Sequence, residues 1–191
     1  MGENKMFIKE YIKHPRKVGA IAPSSKYLAY KMIKEINFEL AKCIVEYGPG
    51  TGAFTEKILA RAKDDTKIIL LEVNEEFYCK LKELYGHKKN VIILNESAEK
   101  ISEIIKKYNI EFVDYIISGL PFASLPEEVS MNILKETSKT IEKRGEFITF
   151  QYTLFKKNLF KEFFNEIEID KTFRNLPPAY VLQCKMESQS V

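Results

Sequence analysis

Three glycines and one acidic residue carry the clearest chemical signal in the sequence. Gly48, Gly50 and Gly52 alternate directly after an apolar run, and Glu72 lies 22 residues beyond Gly50, at the end of the next one. Glycines let the backbone turn tightly and approach a ligand that a Cβ atom would displace. An acidic residue about 20 residues further on meets ribose hydroxyls in nucleotide-binding α/β folds. The G-x-G-x-G spacing fits neither a dinucleotide fingerprint nor a phosphate loop, so it predicts an adenosine-containing ligand without a diphosphate, held in a nucleoside-sized gap between loop and carboxylate.

These segments resemble motif I and the following acidic position of class I S-adenosylmethionine-dependent methyltransferases. The resemblance implies that Glu46 lies near the methionine end of the cofactor and that Asn74 assists at the ribose or adenine. After the third strand, Glu96 or Ser97 takes the place of an acidic residue that faces adenine in related enzymes, although Ser97 equally fits a helix N-cap. The predicted residues for S-adenosylmethionine are Glu46, Tyr47, Gly48, Pro49, Gly50, Gly52, Glu72, Val73, Asn74, Ser97, Ala98 and Ser118.

A second motif, Ser118-Gly119-Leu120-Pro121-Phe122, follows the fourth predicted strand. It resembles the Asn/Asp-Pro-Pro-Tyr-type loop of amino-methyltransferases, which implies catalytic roles for Ser118, Gly119, Leu120 and Pro121. A sulfonium is already an activated methyl donor, so the protein has to aim the lone pair of a neutral amine at it. Backbone carbonyls of a proline-rigid loop can do this by accepting from the amine N–H groups, and orientation of this kind contributes at most ~7–11 kcal/mol. A simple turn with Pro121 at its corner remains an alternative.

Short apolar runs alternate with amphipathic stretches along the chain, which predicts β-α-β units around a mostly parallel sheet. The predicted strands are 43–47, 67–73, 90–94, 113–118, 145–153, 167–173 and 180–185. The predicted helices are 3–13, 26–36, 54–62, 75–85, 98–108, 126–142 and 156–164. We therefore expect a single domain over 37–191, preceded by a basic helical segment over 1–36.

The N-terminal segment is strongly basic. Residues 1–34 hold eight lysines and arginines against two glutamates, whereas the whole chain carries only +3. The predicted helix over 3–13 places apolar side chains on one side and a lysine every fourth residue on another. Residues 3–17 are therefore predicted to meet an anionic membrane surface. Packing of the same helix against the domain is an equally open alternative.

The opening, residues 7–25, and the tail, residues 174–181, are similar to bacterial phospholipid N-methyltransferases, and the similarity runs over nearly the whole chain. This Rossmann-like family is related to rRNA adenine dimethylases. The resemblance implies a seven-stranded sheet with an antiparallel last strand. It also implies methylation of phosphatidylethanolamine, in up to three steps, by an enzyme held peripherally at the cytoplasmic face of the cell membrane. Other aminolipids, such as ornithine lipids, are substrates of the same group.

Substrate contacts are less sharply indicated, and no Asp/His general base stands out. Aromatic rings suit a product that becomes a quaternary ammonium, through cation–π attraction, and an arginine suits a lipid phosphate. The candidates are His14, Tyr27, Phe122, Gln151, Tyr152, Arg174 and Tyr180.

Two other functions compete with lipid methylation. An rRNA adenine dimethylase-like enzyme would share both loops, but such enzymes have Asn directly before Leu-Pro, where this chain has Gly119. The chain also ends soon after the last predicted strand, so a nucleic-acid partner is not expected. A catalytically silent binding protein is disfavoured by the intact glycine loop.

The sequence contains few cysteines and histidines that could bind a metal ion. Three widely spaced cysteines, Cys43, Cys79 and Cys184, and two histidines predict no metal site. The cysteines are expected to be small buried apolar residues, in keeping with a cytosolic protein.

Overall fold

A computed structural model describes residues 26–141, 144–172 and 177–186. Within them, seven strands form one sheet in the order β3-β2-β1-β4-β5-β7-β6. The strands are β1 Cys43–Tyr47, β2 Lys67–Leu71, β3 Val91–Leu94, β4 Tyr115–Ser118, β5 Glu146–Gln151, β6 Glu166–Thr172 and β7 Ala179–Lys185. The neighbours from β3 to β5 are parallel, and β7 runs antiparallel to both β5 and β6. The predicted Rossmann-like methyltransferase sheet with an antiparallel last strand is confirmed.

The helices lie on both faces of this sheet. They are α1 Lys26–Ile33, α2 Ala53–Leu59, α3 Glu75–Tyr85, α4 Ile101–Lys107, α5 Glu127–Ile141 and α6 Lys157–Lys161, with a 3-10 turn at Ala98–Lys100 before α4. Helix α1 ends at Ile33, three residues earlier than predicted, and the chain then turns at Asn37, whose side-chain oxygen accepts from the amides of Glu39 and Leu40. The predicted helix over 3–13 lies outside the described residues.

Each face of the sheet covers its own apolar core. On one face, Val45, Tyr47 and Phe147 pack against α4 and α5. On the other, Ile44 and Phe150 pack against α1, α2 and α3. Strands covered on both sides must be apolar almost throughout, which is why the central runs read as continuous Val, Ile and Leu.

Helix α1 buries Leu28 and Met32 against the sheet, so this part of the predicted 1–36 segment is a layer of the domain; the boundary at residue 36 stays a prediction. Cys43 and Cys184 are buried as expected, but the expectation is wrong for Cys79, which is exposed on the outer side of α3. None of the described helices has the length and apolar character that crossing a bilayer requires.

Candidate cofactor and target site

The parallel strands all end at one edge of the sheet, and this edge, called the site edge below, carries the glycine loop. Gly48, Gly50 and Gly52 have φ values of 62°, 54° and 85°, which side chains other than glycine adopt rarely. The amide of Gly48 donates to the carbonyl of Leu71 at 2.9 Å, which ties the loop to the end of β2. The loop therefore bends back over the point where β1 and β2 end.

The carboxylate of Glu72 faces this loop, as the sequence predicts. Its Oε2 accepts from the amide of Gly50 at 2.9 Å, and its Oε1 accepts from the amide of Asn74 at 2.8 Å. Burial raises the pKa of Glu72, while these backbone donors oppose the shift. The side chain of Asn74 accepts from the amide of Phe77 and so caps α3. Its predicted part in ribose or adenine binding stays a prediction.

A cavity lies beside Glu72 at the site edge. The cavity measures about 30 Å³, room for about two water molecules. Its lining includes Gly48, Glu72, Val73, Ser97, Ala98, Leu120 and Pro121. The side chain of Leu120 lies over Gly48, with Cδ2 2.8 Å from where a Cβ on that glycine would stand. The described residues around Gly48 and Glu72 thus share one cavity with Leu120 at its wall, and the fit of a nucleoside between the loop and the carboxylate stays a prediction.

Glu46 places a buried carboxyl group just before the glycine loop. Its Oε2 accepts from the hydroxyl of Thr55 at 2.7 Å, whereas its Oε1 has no hydrogen-bond partner among the described residues. Burial raises the pKa of Glu46 to about 8, against the opposing hydrogen bond from Thr55. An unpartnered buried carboxylate oxygen fits a ligand that brings its own cationic donor, such as an amino acid ammonium.

The backbone around Gly50 also fits a ligand. A Cβ at Gly50 would meet no protein atom within 4 Å, so that side of the loop is open. Ser97 caps the following turn by accepting from the amide of Glu99, which is the N-cap alternative, and it also lines the cavity. Glu96 lines the cavity too and pairs with Lys100 at 2.8 Å. The residues present thus fit S-adenosylmethionine, with Glu46 toward its ammonium and Glu72 toward its ribose as the predicted roles.

The target loop, residues 118–125, packs directly against the glycine loop. The amide of Gly119 donates to the carbonyl of Tyr47 at 2.9 Å, and a Cβ at Gly119 would stand 2.9 Å from the carbonyl oxygen of Gly48. The Ser118 hydroxyl accepts from the amide of Leu120 at 3.2 Å. Residue 119 therefore has to be glycine in this conformation.

The carbonyl groups of the target loop are not equally available to an amine. The Leu120 carbonyl accepts from the amide of Phe122 at 3.1 Å and from Nε2 of Gln151 at 3.2 Å. The Pro121 carbonyl accepts from the amides of Ser124 and Leu125. No donor among the described residues reaches the carbonyl of Gly119. The catalytic roles predicted for Ser118, Gly119, Leu120 and Pro121 stay predictions, with the Gly119 carbonyl the most accessible acceptor for an amine among the described loop carbonyls.

Three predicted ligand-contacting side chains lie in the interior instead. Tyr47 is fully buried, and its hydroxyl is within 3.2 Å of Thr137, so only its backbone belongs to the site. Phe122 is also fully buried, with its ring 5.2 Å from that of Phe160. Gln151 is 5% exposed and bonds to the target loop. Apolar packing and loop anchoring therefore occupy these side chains, which are not substrate-facing in this conformation.

The remaining candidates lie around the site edge or outside the described residues. Tyr152 follows β5, with its ring 5.5 Å from and perpendicular to that of Phe150. Tyr180 pairs with Gln151 across β5 and β7 and is half-buried. Tyr27 lies in α1, at the exposed side of the helix. Their contacts with a substrate stay predictions, as do those of His14 and Arg174, which lie outside the described residues.

Sequence reasoning missed the residues that fix the target loop from the far side. The Thr149 hydroxyl donates to the carbonyl of Ser118 at 3.3 Å, and Nζ of Lys156 donates to the carbonyl of Leu125 at 2.7 Å. Both partners lie about 31 residues away along the chain, so no local motif announces them. Thr55, which holds Glu46, is nine residues away and lies on the inner face of the first helix after the loop, where a polar residue is a readable signal.

The fold and the glycine loop define a class I S-adenosylmethionine-dependent methyltransferase, and S-adenosylmethionine is its cofactor. The sequence model of the family described as "Ribosomal RNA adenine dimethylase" matches residues 24–162. The chain belongs to this family. Within the described residues, no group of three or more His, Cys, Asp or Glu side chains could hold a metal ion.

The chain is similar to known proteins of two kinds. An ornithine lipid N-methyltransferase of Singulisphaera acidiphila is 29% identical over 97% of both chains. Ribosomal RNA small subunit methyltransferase A of Hydrogenobaculum sp. is 29% identical over 51% of this chain and 35% of its own length. Among solved structures, a SAM-dependent methyltransferase of Aquifex aeolicus superposes with a TM-score of 0.57, at 18% identity, over 82% of this chain and 88% of its own; this likeness concerns the fold alone.

Proposed function

We propose that the protein methylates the primary amine of a membrane aminolipid, with an ornithine-type lipid as the first candidate. The observation that carries the proposal is the similarity to the ornithine lipid N-methyltransferase, which extends over 97% of both chains. The relative that acts on ribosomal RNA matches only about half of this chain. The sequence predicts phosphatidylethanolamine first, but neither relative is named for this lipid. Phosphatidylethanolamine is therefore the second lipid to test.

The shape of the target loop supports an alkyl amine over an adenine amine. An aromatic exocyclic amine is a poor nucleophile and benefits from two well-placed acceptors. The dimethylases have Asn directly before Leu-Pro, but an Asn at residue 119 would put its Cβ 2.9 Å from the carbonyl oxygen of Gly48. An alkyl amine is a good nucleophile once neutral, so the single carbonyl of Gly119 is sufficient to orient its lone pair.

In this proposal the chain contributes position rather than covalent chemistry. The bound cofactor supplies an electrophilic methyl group. Gly119 accepts an N–H of the neutral amine, and Gln151 and Lys156 hold the loop that carries Gly119. Placement of this kind contributes at most ~7–11 kcal/mol to lowering the barrier.

The membrane side of the proposal includes residues 3–17 as an anionic-surface contact and a peripheral position at the inner face of the cell membrane. The net charge of +6 over residues 1–34 supports it, since each basic residue near an anionic surface contributes about 1 kcal/mol. Deletion of residues 1–13 should weaken vesicle binding and leave cofactor affinity unchanged. Unchanged vesicle binding would remove this segment from the proposal.

The test is incubation of the protein with methyl-labelled S-adenosylmethionine and vesicles that contain ornithine lipid and phosphatidylethanolamine, followed by separation of the lipids. We expect label in ornithine lipid, with a smaller amount or none in phosphatidylethanolamine. Label in phosphatidylethanolamine alone would instead support this lipid, which the sequence predicts first, as the substrate. Absence of label from both lipids would refute lipid methylation.

Adenine methylation of RNA is the second candidate, and the family match over residues 24–162 favours it. The same labelled cofactor with undermethylated small-subunit rRNA distinguishes the two. RNA labelling that falls steeply with salt would support this candidate, because phosphate contacts release counterions.

A further inference from the structure

The most exposed large apolar side chain among the described residues lies at the site edge. Phe155 is 86% exposed, in the short connection between β5 and α6. Leu154, Lys156 and Lys157 are half-buried and Thr153 is exposed, so Phe155 is the exposed apolar side chain of this connection. A phenyl ring left in water gives up the stabilisation that burial of its apolar area would provide.

The connection that carries Phe155 is firmly attached at both ends. The amide of Phe155 donates to the hydroxyl of Thr153 at 3.2 Å, which closes a tight turn. On one side Gln151 bonds to Leu120 and Ala123 of the target loop. On the other side Nζ of Lys156 bonds to the carbonyl of Leu125. The backbone of Phe155 is therefore held in a fixed position relative to the target loop.

The surroundings of the ring fit a lipid surface. Lys157 lies two residues beyond it, and a basic side chain near an aromatic ring suits the anionic head-group region of a bilayer, whereas the ammonium of Lys156 is turned to the Leu125 carbonyl. Burial lowers the pKa of Lys156, and the negative charge of Glu127 in α5 opposes this shift. Leu40, another strongly exposed apolar residue at 71%, lies before β1, at the opposite edge of the sheet. That location keeps it away from any surface that the site edge meets.

We propose that Phe155 inserts into the head-group and acyl boundary of a lipid bilayer and so sets the target loop at the membrane surface. This inference rests on the proposed lipid substrate. It adds a second membrane contact, which lies within the described residues, to the one predicted for residues 3–17. Because Gln151 and Lys156 join the two loops, an inserted Phe155 places the carbonyl of Gly119 at a fixed distance from the lipid head groups.

The chain has no tryptophan, so Phe155→Trp introduces a single fluorescent reporter. We expect its emission to shift to shorter wavelength when vesicles of phosphatidylcholine and phosphatidylglycerol are added to the full-length protein. These lipids carry no methylatable amine, so the result is readable even if lipid methylation fails. The control is Leu40→Trp, whose emission should not change with vesicles.

A shift absent from Phe155→Trp, or equal in both variants, would overturn the proposal. A blue-shifted emission before any lipid is added would also overturn it, because another part of the chain or a second copy would then cover residue 155. Phe155→Ser should lower partitioning into the same vesicles about tenfold, and Leu40→Ser should leave it unchanged. Equal cofactor affinity of the serine variants and the unaltered protein, measured by calorimetry, shows that they are folded.

Discussion

The two halves of the site edge are built in different ways. The cofactor half, at the ends of β1, β2 and β3, is made mainly of backbone atoms and two carboxylates, joined by contacts such as Gly50 to Glu72. The target half, at the ends of β4 and β5, is held by side chains from distant parts of the chain, such as Gln151 and Lys156. The cofactor half depends on backbone conformations that glycine adopts readily. The target half depends on hydrogen bonds between residues that are far apart in the sequence. Substitutions in the cofactor half should therefore weaken cofactor binding, and substitutions in the target half should slow methyl transfer.

The largest expected effect is at the contact between the halves. Gly119→Asn should abolish methyl transfer and lower the stability of the fold by about 1–3 kcal/mol, because its Cβ would overlap the Gly48 carbonyl. Thermal unfolding and initial rates measure the two losses. Ser124→Asn, an exposed position in the same loop, should change neither. A Gly119→Asn variant that folds normally and methylates adenine would refute the steric argument against the dimethylase activity.

A second variant tests the cofactor half alone. Gly50→Val should reduce S-adenosylmethionine affinity at least a hundredfold, because φ is 54° there and the branched side chain would occupy the open side of the loop. Calorimetric titration is the measurement. Thr51→Val, an exposed neighbour, should retain the affinity. Normal binding by Gly50→Val would mean that the cofactor site lies elsewhere.

A third variant tests the target half alone. Gln151→Glu can still accept from the amide of Ala123 but cannot donate to the carbonyl of Leu120. We expect kcat to fall about tenfold while cofactor affinity stays the same, since a misplaced loop costs rate rather than cofactor binding. Gln151→Ala should be at least as slow. An equal loss of cofactor affinity would show that the two halves are not separable by mutation.

The smallest expected effect is a dependence on pH. Glu46 has a pKa of about 8 in the folded protein against an ordinary value of 4.5, so the fold favours its protonated form. Its contribution to stability is fully present below pH 4.5 and is lost as pH rises toward 8. Glu46→Gln should flatten the slope of unfolding free energy in this range, as chemical denaturation would measure.

The affinity of the unaltered protein for S-adenosylmethionine should rise from pH 6 to 8, because the ionised carboxylate attracts an ammonium group. In Glu46→Gln it should be weaker and flat over the same range. A parallel rise in both proteins would assign the pH dependence to another group.

The same contrast explains how much the sequence could predict. The sheet, the glycine loop and the facing of Glu72 follow from short spacings and apolar runs, which local physics determines. The interior positions of Tyr47 and Phe122 could not be predicted from these local patterns, because a residue at the end of a strand can point to either face. The anchoring by Gln151 and Lys156 depends on β5 lying beside β4, so only the assembled sheet reveals it.

The backbone contact between residues 48 and 119 has a consequence for exchanging parts with relatives. Because a Cβ at residue 119 would stand 2.9 Å from the carbonyl oxygen of Gly48, the 118–122 segment is not transferable separately from the glycine loop. A chimera that receives only the 118–122 segment of a dimethylase would bring an asparagine against Gly48 and misfold locally. Retargeting such an enzyme to a different amine therefore requires both segments to be transplanted together, with the portion of β5 that supports them.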